Sequence, residues 1–231
     1  MTVRLTRTSH GGIPDLAVLT VDDDGNASYA QTSGHRIGRF ARSLSGSERK
    51  ALQRALTAAS TASAPDAPAG PAQPSGTVEQ LVADGLPDLV LDSGAAPPPG
   101  FRQLLRVLLR LRGDISDSPL AAIEVEVTGS PRAVRLRHLG SEPVRVRLST
   151  MTVEATLFGP DSAIVESRSE TVDGSAVDGT VEPGWVLPLV ADAGIGEAAK
   201  GGFVTVSVGP AEVDALGDGV LRPAEFSWAG E

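Results

Sequence analysis

Val3 and Leu5 alternate with Arg4 and Thr6, the two-residue period of a strand with one buried face. Leu16 to Val21 gives a second strand-like run, and Asp24-Gly25 supplies a turn into Ala27 to Gln31, so a small antiparallel sheet is expected. The period then lengthens. Leu52, Ala55, Leu56 and Ala59 recur at helical spacing behind Ser45-Gly46-Ser47-Glu48, where a Ser oxygen and a Glu carboxylate three residues apart satisfy the first unpaired amides of a helix. Asp88 to Asp92 reads as a short strand. Phe101, Leu104, Leu105, Leu108 and Leu111 predict a second helix over 100–111, with Arg102, Arg106 and Arg110 on a separate face. That arginine stripe is expected to be a solvated helix face, and its alternative is a surface turned toward the acidic second half or a partner.

The second half has no helical period. Ile123 to Val127 and Val134 to Arg137 alternate on either side of the turn-like Gly129-Ser130-Pro131, which lets glutamates and arginines pair across a hairpin. Val144 to Leu148, Thr152 to Phe158, Ala163 to Ser169, Trp185 to Val190, Val204 to Val208 and Pro223 to Trp228 supply further strands. About seven or eight short strands in roughly 110 residues predict a sandwich of the immunoglobulin type. Trp185 and Trp228 are expected as core anchors, with exposure at a binding edge as the alternative. The expected fold class is an α+β N-terminal domain over 1–113 followed by an all-β immunoglobulin-like sandwich over 114–231.

Three breaks punctuate the pattern. Residues 60–76 are small, polar and Pro-rich, too poor in apolar area to offset their ordering entropy, and are expected to form a flexible insertion or linker. Gly94 to Gly100 is short and rigid, and Gly113 to Pro119 separates the halves.

Composition limits function more than it assigns it. The 231 residues are 41% hydrophobic but hold only five Phe, two Trp and one Tyr, so any core is aliphatic. A net charge of -9 disfavours nucleic acid and anionic membranes as partners. The charge is uneven: residues 1–113 carry 12 Lys+Arg against 10 Asp+Glu, and residues 114–231 carry 8 against 19. The absence of cysteine removes disulfides, thiolate nucleophiles and Cys-based zinc sites, and fits a reducing compartment. The charged N-terminus has no apolar export signal, and Leu104 to Leu111, interrupted by Arg106 and Arg110, falls far short of a membrane span, so a soluble cytoplasmic protein is expected.

Catalytic patterns are not found. His10, His35 and His138 lack metal-ligand spacing and read as loop or surface residues. Asp22-Asp23-Asp24-Gly25-Asn26 and the Asp173 and Asp178 region place oxygens in loops without the EF-hand order, and turn chemistry accounts for them. Gly34 to Gly38 lacks the Lys-Ser/Thr of a phosphate loop, and no Gly-x-Ser-x-Gly elbow occurs. No catalytic residue, metal or cofactor is therefore expected, and the chain is read as a non-enzyme.

The opening, Thr6-Arg7-Thr8-Ser9-His10-Gly11-Gly12-Ile13, resembles the Arg-Ser/Thr-Gly-Gly start of the emfourin family, small bacterial inhibitors of thermolysin-like metallopeptidases. The second half is similar to bacterial immunoglobulin-like modules. The first resemblance implies a non-enzymatic, intracellular protein-binding protein that acts as a stoichiometric inhibitor, with Arg7, His10, Gly11, Gly12 and Ile13 as partner-binding residues and affinity from preorganisation. The same residues also read as a tight turn eased by two glycines. The competing expectation is an assembly module that docks into a larger complex through an edge of its acidic sandwich.

Overall fold

The computed structural model describes residues 2–9, 15–61, 76–92, 95–129, 132–174, 177–198 and 200–230. In chain order the elements are β1 (Val3–Ser9), β2 (Asp15–Val21), β3 (Asn26–Gln31), β4 (Ser33–Gly34), β5 (Arg36–Ser43), α1 (Gly46–Ser60), β6 (Thr77–Ala83), β7 (Leu89–Asp92) and α2 (Arg102–Ile115), the last entered through a 3-10 turn at Pro99–Phe101. The second half adds β8 (Pro119–Thr128), β9 (Ala133–Gly140), β10 (Val144–Phe158), β11 (Ile164–Asp173), β12 (Asp178–Val181), β13 (Val186–Val190), β14 (Phe203–Val213) and β15 (Arg222–Gly230). The chain forms two compact units: Met1–Ala30 with Arg39–Pro119, and Gln31–Gly38 with Leu120–Glu231. We call them unit 1 and unit 2.

In unit 1 the sheet runs β5-β3-β2-β1-β6-β7. β1 pairs antiparallel with both β2 and β6, so Leu19, Leu5, Leu81 and Leu89 form one buried row across four strands. The two α-helices pack on each other. α1 buries Leu52, Ala55, Leu56 and Ala59, the face its sequence period marks. Its start is a capping box: Ser45 Oγ accepts from the Glu48 amide at 3.3 Å, and the Ser45 amide donates to Glu48 Oε2 at 2.7 Å. α2 buries Leu104, Leu105, Leu108, Leu111 and Ile115. Ile115 extends the helical spacing past Gly113, so the helix runs through part of the expected break at 113–119.

Unit 2 is β-sandwich-like. One sheet runs β13-β9-β8 onto the start of β5, and the other runs β11-β10-β14-β15-β4, with β12 also on β10. Val125, Leu136, Val146, Val153, Val206, Val208 and Phe226 belong to one buried cluster. Trp185 and Trp228 are partly buried and packed against it. Val144 to Leu148 and Thr152 to Phe158, which read as two strands, are one strand with a register shift between Leu148 and Thr152, since β10 pairs with β12 along its first part and β11 along its second.

The expected fold class, an α+β N-terminal domain followed by an all-β immunoglobulin-like sandwich, is overturned. Among the described residues strands make up 56% and helices 16%, in two antiparallel or mixed sheets, with no distinct α+β N-terminal domain. The sandwich-like unit takes its last strand from ahead of α1: β4 runs parallel to β15, with Ser33 beside Glu225 and Gly34 beside Phe226. Sequence periodicity misses β5 because Ile37 and Phe40 are both buried yet three residues apart, hence on opposite faces of a strand. Gly38 shows why this segment fits. Its φ is +134°, and a Cβ there would lie 2.2 Å from the Ala121 carbonyl oxygen. The expected insertion at 60–76 falls, for 62–75, outside the described residues. No helix among the described residues is long and apolar enough to cross a membrane.

Candidate functional site

Arg7 follows Val3 and Leu5 on the inward face of β1 and sits opposite Glu79 of β6, which in turn sits opposite Leu91 of β7. This row lies next to the buried leucine row, on the same face of the sheet. α2 supplies the facing wall with Arg102, Leu105, Arg106 and Leu109. Thr77, Asp92, Ala95 and Pro97 complete a cleft of about 540 Å³, a size typical of ligand sites.

The cleft concentrates cations in an acidic protein. Arg7, Arg102 and Arg106 face Glu79 and Asp92, a local excess of one positive charge. Arg102 Nε donates to the Pro97 carbonyl at 3.2 Å, which ties the start of α2 to the loop before it. Arg7 Nε is buried and has no hydrogen-bond partner among the described residues. An unmet buried donor costs about 1–3 kcal/mol, and the Arg7 side chain that carries it is part of the cleft lining.

Of the five residues singled out in the opening segment, Arg7 lies in this cleft, while His10, Gly11, Gly12 and Ile13 fall outside the described residues. The structure brings Arg7 together with Arg102 and Arg106 from the α2 stripe. Arg110 is set apart, 3.7 Å from Asp114 on its own helix. Glu79, Leu91 and Asp92 were not singled out as site residues from sequence; the alternation of Val3 and Leu5, extended by one step, is the signal that puts Arg7 on the core face.

Other sequence candidates resolve into structural chemistry. Asp22 accepts from the Asn26 amide at 2.8 Å and from Asn26 Nδ2 at 3.0 Å, closing the β2–β3 turn, and these bonds hold its carboxyl below the usual range. His35 Nε2 lies 3.4 Å from Glu124 Oε1. His138, read as a surface residue, is instead only 5% exposed on the inward face of β9. Glu124 and Glu126 do pair across the β8–β9 hairpin with Arg137 and Arg135.

A scan against protein-family models finds no match to this chain, and a search of curated proteins finds none either.

Proposed function

We propose that this is a non-enzymatic protein-binding protein whose unit 1 cleft receives an acidic, partly apolar segment of a protein partner. One observation carries the reading: Arg7, whose buried Nε has no acceptor among the described residues, lines a cleft together with Arg102 and Arg106. A partner carboxylate would accept from Arg7, and Leu91, Leu105 and Leu109 would cover the apolar side chains beside it. Glu79 and Asp92 in the same wall select against multiply charged phosphate groups and favour isolated carboxylates.

Within that class, a thermolysin-like metallopeptidase is the partner suggested by the opening residues, with Arg7, His10, Gly11, Gly12 and Ile13 as the contact segment. Titrating such an enzyme with the intact chain tests this finer reading. Loss of peptidase activity at a one-to-one ratio, weakened in Arg7→Ala, supports it. Unchanged hydrolysis under a large excess of the chain removes the metallopeptidase as partner.

A further inference from the structure

Unit 2 carries a second surface, independent of the cleft. β11 ends its sheet and, among the described strands, is hydrogen-bonded to β10 alone. Nearly all of its residues are exposed, and Ile164 and Val165 are 67% and 65% exposed. A long open edge offers unpaired N–H and C=O groups to another strand. Glu166, Arg168 and Glu170 sit opposite Leu157, Ala155 and Val153 of β10, so they share one face; their charges alternate in sign, and within the strand Arg168 Nη2 lies 3.0 Å from Glu166 Oε1, a pair that Glu170 of a second copy would extend. An antiparallel copy of the same strand meets this pattern in reverse.

We propose that β11 pairs antiparallel with β11 of a second copy of this chain, about a two-fold axis at Ser169. In that register Arg168 of each copy faces Glu170 of the other, Ser167 faces Thr171, and Val165 faces Asp173. A centre at Arg168 instead sets Arg168 against itself and Glu166 against Glu170, and like charges directly opposite are destabilising. A centre at Ser167 keeps opposite charges together but leaves residues 171–173 unpaired, whereas Ser169 engages 165–173. Charge and ladder length therefore select the same register, and the contact is isologous and closed. Unit 2 opposes long-range approach of its own copy, with 17 Asp+Glu against 9 Lys+Arg. The pairing is accordingly favoured at about 0.15 M salt, where charges more than about 8 Å apart are screened.

Light scattering on the full chain at that ionic strength is expected to give twice the 23.7 kDa chain mass. Arg168→Glu or Glu170→Arg alone should weaken association roughly tenfold or more, and the double reversal should restore it, with far-UV circular dichroism confirming that each variant folds. The chain has no cysteine, so Ser169→Cys should cross-link as a homodimer on oxidation while Ser167→Cys should not, because only directly opposed residues bring their Cα atoms within disulfide range. A monomeric wild type, a dimer indifferent to the single reversals, or cross-linking that favours Ser167→Cys overturns the proposal. The cysteine pair decides the matter even where a charge reversal fails to fold.

Discussion

Glu124 and Arg137 stand directly opposite each other across β8 and β9, with Arg137 Nε donating to Glu124 Oε2 at 2.7 Å. Glu124 is only 4% exposed, and its other oxygen accepts from Arg36 Nε at 2.9 Å. Burial pushes this carboxyl up, but hydrogen bonds from Arg36 and Arg137 outweigh it and hold the group below its usual 4.5. The Arg36–Glu124 bond fastens the Gln31–Gly38 segment to the hairpin within unit 2.

Replacing Glu124 with Ala should destabilise the protein by about 1–3 kcal/mol, less than a fully buried pair would cost because both arginines reach solvent. Urea unfolding measures this as a lower midpoint at unchanged slope. A carboxyl with a depressed folded pKa stabilises above its unfolded value. The Glu124 contribution is therefore complete above about pH 4.5 and falls away as pH drops through the folded pKa.

His138 gives a second pH dependence of different origin. Both ring nitrogens are buried, and neither makes a well-formed hydrogen bond among the described residues. Burial lowers its pKa from 6.5, and the nearby Glu142 backbone and Glu182 carboxylate offset only part of that. The unfolded chain then takes up a proton the folded one refuses, so stability declines as pH falls from about 6.5 toward the folded pKa. His138→Leu should flatten this slope and be neutral or stabilising by up to about 1 kcal/mol, because it removes two buried, poorly satisfied polar atoms. Thermal melts of both proteins between pH 7.5 and 5 test this.

Glu48 anchors the start of α1 through Ser45 and through Arg42, whose Nη2 lies 2.6 Å from Glu48 Oε1. Its pKa is lowered to about 2, first by Arg42 and then by Ser45. This contribution is present above the unfolded value near 4.5 and is lost only toward pH 2. Ser45→Ala should cost about 1 kcal/mol, seen as a lower urea midpoint at neutral pH.

Gly38→Ala should be the most damaging of the single-methyl changes. The backbone sits at φ +134° and the new Cβ meets backbone atoms of Ala121 and Ala122, which have no rotamer by which to yield. A loss of about 2–4 kcal/mol is expected, in the range of strain at a special backbone position. Proteolysis under native conditions should then release cuts within Gln31–Gly38.

The two helices were legible because each buries one face against a single environment: Leu52, Ala55, Leu56 and Ala59 in α1, and Phe101 to Leu111 leading into α2. That glutamates and arginines pair across the β8–β9 hairpin was legible from strict alternation, and the register then sets Glu124 opposite Arg137. β5 was not, because Ile37 and Phe40 are buried on opposite faces and erase the one-sided period. The parallel β4–β15 contact was also hidden, as no local pattern encodes a pairing between residues 33–34 and 225–226. The same holds for the cleft: Arg7 and the α2 arginines were each visible, but their meeting depends on the β1-β6-β7 register, which only tertiary structure supplies.

The most direct test is a backbone and Arg Nε proton–nitrogen NMR titration of the intact chain with acetyl-Leu-Glu-Leu-Glu-Leu-amide, using the Leu-Lys counterpart as control. Saturable shifts at Arg7 Nε, Thr77, Leu91 and Leu105 with the acidic peptide, lost in Arg7→Ala, are the predicted result. No shift in that group of residues, or equal shifts with the lysine peptide, would contradict an acid-recognising cleft.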